Sequence, residues 1–570
     1  MRLKKDAPQN FEQSAVILLA SAIIVKVIGA LFKIPLQRLI GTLGFGYFSS
    51  AYDLYLPIYA LSMAGLPVAV SRMIASCVAD KRYKEAEKTF KIAKMAFLVT
   101  GIIGLIVILA AIYPFTKVTS NNPTDAKYIA ICIALIAPAI LFCCILSSFR
   151  GYFEGMRNMV PTAVSEVIEA ISKLVLGFAF AFVVMKLTGN VAYAAAGALL
   201  GIMIGTALAA LYLWLRLKIK GRAVSNEEIA ASPESRSGKF ILKCLLAIAI
   251  PVVLSSMATN ITLLIDTTMI KWQLKNIMEN SYDVIAEMYK NSIADHNLNS
   301  VTELTASTMP TFLYGIRGQA YTIYNLIPTL TTTLGIGAIP ILTTAWVEKN
   351  TLSIKSNIEK ILRTTALIAA PAGIGVCAIS PFVMGLLYDG TASVEIGSVL
   401  LFILGIAALF SGVSVPITSM LQAMGKPHLP LINIVVGALL KIITNFILVS
   451  RPEINIMGAP VGTTVCYMYI CVANMVCLKV VSGVKINFFA TIIKPFTAAL
   501  LCGAGAFAVS RYLASLNFSN VIVVGVSIIA AAIIYVAFIF IFKTLSSEDV
   551  ACFPKGEKIA KLLVKLHLIK

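Results

Sequence analysis

The residues best placed to do chemistry are charged side chains set inside long apolar runs. Lys26 and Lys33 stand seven residues apart, which puts them on one face of a helix. At a rise of ~1.5 Å per residue, Lys26 lies about 15 Å from either end of its run. Arg38 follows near the end of the same run, where its long stem can snorkel to an interface. Tyr52 and Asp53 open the next run. Glu166, Glu169 and Lys173 share a face, with Glu169 and Lys173 at the i,i+4 spacing of an ion pair. Asp266 lies in LLIDTTMI, and Arg317 and Lys441 lie in two later runs. An ionisable group at bilayer depth costs about 2.5–3.5 kcal/mol, so it faces a wet cavity or a partner. A lysine attracts phosphate as a compact point charge, whereas a carboxylate such as Asp266 suits a coupling Na⁺ or H⁺. Lys26, Lys33, Arg38, Asp53 and Arg317 are therefore candidate substrate contacts. Asp266, Glu166, Glu169, Lys173 and Lys441 are candidates for ion coupling or intramembrane charge pairing. The plainer alternatives are an outer-interface position for Arg38 and Arg317, and a structural brace for Glu169 with Lys173.

The elements that hold these residues are membrane helices. The chain has 570 residues, 59% hydrophobic and 13% charged, against roughly 25% charged in a soluble domain. Its apolar side chains exceed what one water-soluble core can hide. A bilayer takes such a chain as helices of about 20 apolar residues, each pairing its own backbone groups. We read about fourteen spans, at 15–36, 47–75, 95–115, 128–149, 161–185, 191–215, 244–270, 312–345, 364–387, 396–422, 430–450, 457–478, 490–511 and 519–542. Pro57, Pro67, Pro138, Pro251, Pro328, Pro340, Pro371 and Pro416 fall inside them, and proline within a membrane helix kinks it.

The formal net charge of +20 is placed by topology rather than by nucleic acid. Basic residues cluster at 80–94, 216–243, 349–363, 426 and 479–494, and an even number of spans puts all of these with both termini on the cytoplasmic side. The 271–310 segment then forms a long external loop, solvated or acting as a flap. Part of it has a surface-helix pattern (Ile277, Tyr282, Ile285, Met288, Tyr289). The tail Lys555–Lys570 alternates basic and apolar residues as an amphipathic helix, suited to the anionic lipids of the inner leaflet. The 11 cysteines show no ligand spacing and suit small buried positions. There is no metal-ligand cluster and no phosphate-binding glycine loop, and no cofactor is expected beyond a coupling Na⁺ or H⁺.

Sliding the chain on itself by 269 residues aligns landmarks without gaps. Gly46 meets Gly315, Ala51-Tyr52 meets Ala320-Tyr321, Tyr55 meets Tyr324, Gly104 meets Gly373, Arg157 meets Lys426 and Pro161 meets Pro430. Both halves begin on the same side, so the repeats are parallel, a plan in which transporters bind at mid-membrane and rock one half against the other. The expected organisation is a first lobe at 1–220, a cytoplasmic linker at 221–243, a second lobe at 244–480, two further helices within 481–542 and a tail at 543–570.

Three stretches carry a family resemblance: VKVIGALFKIPLQRLIGTLGFGYF (Val25–Phe48), MAGLPVAVSRMIA (Met63–Ala75) and RGYFEGMRNMVPTAVSEVIEAISKL (Arg150–Leu174). Two more are RGQAYTIYNLIPTLTTTLGIGAIPILTTAW (Arg317–Trp346) and LQAMGKPHLPLINIVVGALLK (Leu421–Lys441). Together they resemble the stage V sporulation protein B and polysaccharide-biosynthesis branch of the MOP exporter superfamily. The resemblance implies an all-α, MurJ- or MATE-like bundle of two lobes around a central cavity in a bacterial plasma membrane. It implies flipping of undecaprenyl-diphosphate-linked sugars, lipid II or a polysaccharide precursor, for cell-wall or spore-cortex synthesis. It carries one first-helix cation onto Lys26 and a second next to Lys33, and gives the last two helices a groove for the lipid tail. Paired helix-2 arginines of the MurJ type are absent, since Ala60, Leu61 and Ser62 stand there. The alternative is a cation-coupled multidrug antiporter of the MATE type, which the Asp266 segment resembles. A membrane glycosyltransferase would need a convergent catalytic site in the 271–310 loop, and none is present. The oligomeric state is left open, and a monomer suffices for this mechanism.

Overall fold

The computed structural model describes residues 11–120, 122–220, 226–299 and 303–545. All regular structure among them is helical. Two compact units emerge, Met1–Asn280 with Ser300–Gly315, and Ser281–Asn299 with Ile316–Lys570.

Unit 1 holds α1 (Phe11–Ala64), α2 (Leu66–Ala79), α3 (Tyr83–Thr119), α4 (Pro123–Ile136), α5 (Ala139–Gly155), α6 (Val160–Thr188), α7 (Val191–Lys220), α8 (Asn226–Ala230) and α9 (Gly238–Asn280). α1 is two helices joined at Gly41, whose φ of 67° is a left-handed conformation that glycine adopts without strain. The second segment stops at Gly65, and Pro67 starts α2 in the first turn where its missing N–H costs nothing. Pro138 likewise divides α4 from α5. So the expected spans 47–75 and 128–149 are each two helices in line. The core gathers α2, α3, α5, α7 and α9 around Val70, Ile74, Phe97, Phe149 and Leu245.

α9 departs twice from expectation. It belongs to unit 1, packing on α1 and α3, rather than opening the second lobe at 244. It also runs ten residues beyond the expected end at 270, because Ile270, Leu274 and Ile277 continue a helical apolar face and are all buried.

Unit 2 begins with α10 (Tyr282–Met288) and α11 (Lys290–Asn299). The 271–310 segment, expected as a solvated or flap-forming loop with a surface-helix pattern in part, thus holds the end of α9 and two short helices of unit 2. Ile285 and Tyr289 are buried, the Tyr289 hydroxyl donates to Asn455 Oδ1 at 2.7 Å, and burial pushes that phenol up to about 12. Ser292 donates to Glu395 at 2.7 Å, and Asp295 accepts the Thr391 backbone N–H at 2.8 Å. α12 (Met309–Tyr324) starts in unit 1 and passes into unit 2 after Gly315. The rest are α13 (Leu326–Val347), α14 (Thr351–Leu387), α15 (Thr391–Ala423), α16 (His428–Val449), α17 (Gly458–Ser482), α18 (Lys494–Ser515) and α19 (Asn520–Ile541). α18 and α19 pack on each other and on α14.

Eleven helices among the described residues are long and apolar enough to cross a membrane. The expected figure of about fourteen is not reached among them. α1 and α9, whose side chains are described only in part, are not in that count. The surface supports the membrane reading: α3 exposes Ile102, Ile103, Ile106 and Val107, and α19 exposes Ile528, Ile529 and Ile533. Apolar patches of this extent need lipid. The tail Lys555–Lys570 lies outside the described residues.

Candidate substrate site

The cations and carboxylates of unit 1 converge where α1, α5 and α6 meet. α6 carries Glu166, Glu169 and Lys173 on one face, as their spacing requires. Lys33, from the first segment of α1, and Lys173 both lie over the ring of Tyr52, from the second segment, at 5.4 and 5.5 Å from its centroid. Lys173 Nζ also reaches the Tyr52 hydroxyl at 3.5 Å. Tyr52 continues a ladder of rings through Phe48, Tyr55 and Tyr59. Such faces hold a cation by the ring quadrupole while leaving its N–H groups available to an anion.

The expected Glu169–Lys173 pair does not form. Arg150 on α5, 2% exposed, takes Glu169 instead, with Nη2 and Oε2 3.0 Å apart. A buried guanidinium left without a carboxylate would be strongly destabilising. Arg150 Nε donates to Ser165 at 3.0 Å. Glu166 accepts from Ser21 at 2.8 Å. With both carboxylates engaged, Lys173 turns to Tyr52. A cavity of about 180 Å³ opens here, lined by Val25, Gly29, Tyr59, Arg150, Glu166, Glu169, Ala170 and Lys173. It has room for roughly six water molecules at ~30 Å³ each, or for a phosphate group, and is smaller than the ~300 Å³ at which drug-sized sites begin.

Asp53 falls in a second, buried network of the same unit, and Asp266 is buried one residue away from it in sequence. Asp53 accepts from the Tyr314 hydroxyl at 2.5 Å, and that hydroxyl is 3.0 Å from Thr267, the neighbour of the fully buried Asp266. Lys271, also fully buried, donates to Ser50 at 2.8 Å and lies over the Tyr314 ring. Asp125 and Asp53 are the carboxylates that act on Lys271 electrostatically. The ammonium supplies counter-charge to this acidic cluster from within the chain.

The remaining candidates are scattered. Arg38 is exposed. Arg317 is 3% exposed and stacks on Tyr321 at 4.2 Å. Lys441 on α16 is half-buried and acts on Tyr467. Lys26 lies on α1, and its side chain is outside the described residues. Sequence reasoning missed Arg150, Asp125 and Lys271. Arg150 sits at the end of an apolar run and reads as an interface residue. Lys271 was assigned to a loop, although the Ile270, Leu274, Ile277 periodicity was a signal that its helix continues.

A separate groove of about 520 Å³ lies in unit 2 between α14, α18 and α19. Pro371, Gly375, Ile379, Ala506, Val524 and Tyr535 are among its lining, which is apolar almost throughout.

Comparison with known proteins fits these features. The family model described as "Polysaccharide biosynthesis protein" matches residues 11–285, and the model "MatE" matches residues 303–447. Stage V sporulation protein B of Bacillus subtilis is 25% identical over 96% of this chain and 98% of its own. The lipid II flippase MurJ of Bacillus subtilis is 24% identical over 78% of each chain. Among solved structures, an inward closed lipid II flippase MurJ superposes with a TM-score of 0.63 at 14% identity, covering 93% of this chain and 98% of that one. An inward-facing multidrug resistance MATE transporter gives 0.61 at 16% identity, covering 83% and 99%. The lipid II flippase and the MATE transporter are transport proteins by name, and eleven helices among this chain's described residues are long and apolar enough to cross a membrane.

Proposed function

We propose that this protein flips undecaprenyl-diphosphate-linked saccharides from the inner to the outer leaflet of a bacterial plasma membrane, by alternating access, with both termini cytoplasmic. The observation that carries this reading is the pair of lysines, Lys33 and Lys173, held over one tyrosine ring, with Lys173 also lining a phosphate-sized cavity. A polyprenyl tail is at home in lipid, whereas a diphosphate is not. Lysines held by rings rather than by carboxylates offer their N–H groups to phosphate oxygens. The apolar groove of α14, α18 and α19 suits the tail. Membrane potential or a Na⁺ or H⁺ gradient supplies the drive, and anionic inner-leaflet lipids hold the basic tail. The alternative, export of cationic drugs by a MATE-type antiporter, calls for acidic cavities. Here the acidic cluster of Asp53 and Asp125 already contains Lys271.

Flipping of fluorescent undecaprenyl-diphosphate disaccharide in proteoliposomes tests the proposal. Wild type is expected to expose the lipid to an external quencher, and Lys33→Ala with Lys173→Ala to slow this at least about tenfold, the loss of one charged hydrogen bond or more. Wild-type vesicles that leave the lipid in place while extruding a cationic dye would establish the antiporter instead.

A further inference from the structure

At about 180 Å³ the cavity beside Lys173 falls below the ~300 Å³ of a drug-sized site, so a cargo with more than one sugar needs contacts elsewhere. Unit 2 contains a cluster of different chemistry at positions related to the first by the 269-residue offset. Tyr321 and Tyr324 correspond to Tyr52 and Tyr55, but their surroundings have changed. Arg150, Glu166 and Glu169 are replaced by Ser419, Val435 and Ala438, so the ion-pair set is gone. Conversely, Thr463 and Tyr467 stand where unit 1 has Ala194 and Ala198. One repeat has become ionic and the other hydroxyl-rich.

The geometry is that of an aromatic cradle. Tyr321 and Tyr324 meet edge to face at 5.6 Å, and Tyr324 and Tyr467 are tilted at 6.5 Å. Tyr321 and Tyr467 are half-buried and flank Tyr324, which is only 4% exposed. Thr463 donates to the carbonyl of Ala459 at 3.1 Å, so in its 2.5 Å contact with Tyr321 the tyrosine is the donor. That leaves a Tyr321 lone pair open to a ligand hydroxyl. The Tyr324 hydroxyl is buried with Ser411 and Tyr467 as its polar neighbours, neither of them in close hydrogen-bonding geometry. A buried hydroxyl in that condition is costly unless something polar arrives to meet it.

We infer that unit 2 carries a saccharide-binding subsite formed by Tyr321, Tyr324 and Tyr467. Sugar rings present apolar C–H faces and a rim of hydroxyls. Tyrosines supply both matching surfaces, a flat face and a polar tip. Tyr467 packs against a sugar face, and the Tyr324 hydroxyl takes a hydrogen bond from the rim. This inference rests on the reading above, that the cargo is a lipid-linked saccharide.

The test uses the full chain in nanodiscs with two probes, undecaprenyl diphosphate and undecaprenyl-diphosphate disaccharide. Wild type is expected to bind the sugar-bearing lipid the more tightly. Tyr467→Ala removes about tenfold of that affinity and leaves the bare lipid unchanged. Tyr467→Phe, which keeps the ring, retains most of the preference, and thermal melting confirms that both variants fold. Equal wild-type binding of the two lipids, or an equal loss for both in Tyr467→Ala, overturns the subsite alone. Binding of neither lipid by wild type overturns the cargo reading as well.

Discussion

Tyr52 decides what the two lysines beside it can do. Its ring takes Lys33 and Lys173 from opposite segments of the unit, and the nearby carboxylates are kept occupied by Arg150 and Ser21. The Arg150–Glu169 pair is accordingly a support for the site. Removing one member of a buried pair costs about 3–5 kcal/mol. Glu169→Gln is expected to lower the melting temperature of the purified protein, and Arg150→Met with Glu169→Leu to recover most of the loss. A melting curve unchanged by Glu169→Gln would show that the pair carries no structural load. The residue types were legible in the sequence, since any charge at mid-helix asks for a partner. Which partner was not legible. The i,i+4 spacing pointed Glu169 to Lys173, and only the fold brings Arg150 from α5 into competition.

At the scale of elements, helix breaks and close crossings organise unit 1. Gly41 turns α1, Pro67 starts α2, and Gly46 lets the second segment of α1 meet the start of α12. A Cβ at Gly46 would lie 2.0 Å from the carbonyl oxygen of Thr311, and one at Gly315 would lie 2.2 Å from that of Thr42. These are the two glycines that the internal repeat aligns. Gly46→Ala forces backbone against backbone and is expected to destabilise unit 1 by about 1–3 kcal/mol or more, seen as a lower melting temperature. Gly29→Ala, where a Cβ meets nothing within 4 Å, serves as the silent control. Equal melting of the two variants would contradict the crossing. Apolar periodicity predicted the helices well because burial in lipid and burial in protein both demand it. It ended α9 too early, because a hydropathy window stops at a lysine while a helix does not. It gave Ile277–Tyr289 a surface-helix pattern, but not its docking, since short helices with acidic faces look solvated until Asn455 and Glu395 are found against them.

At the scale of the whole molecule, the stretches that the 269-residue offset aligns carry unlike chemistry in the two units. The repeat was visible as an ordered series of glycine, tyrosine and proline landmarks. The assignment of α9 to unit 1 was not visible, because it depends on packing against α1 and α3 rather than on any local pattern. The central claim is that unit 1 receives a phosphate-bearing head through Lys33 and Lys173. Native mass spectrometry of the detergent-solubilised chain tests it most directly, with undecaprenol, undecaprenyl phosphate and undecaprenyl diphosphate offered in turn. The account predicts that affinity rises with phosphate number, and that Lys33→Gln with Lys173→Gln flattens the series by about 10–100-fold at the diphosphate. A series already flat in the wild type, or one left steep by the double substitution, would contradict it.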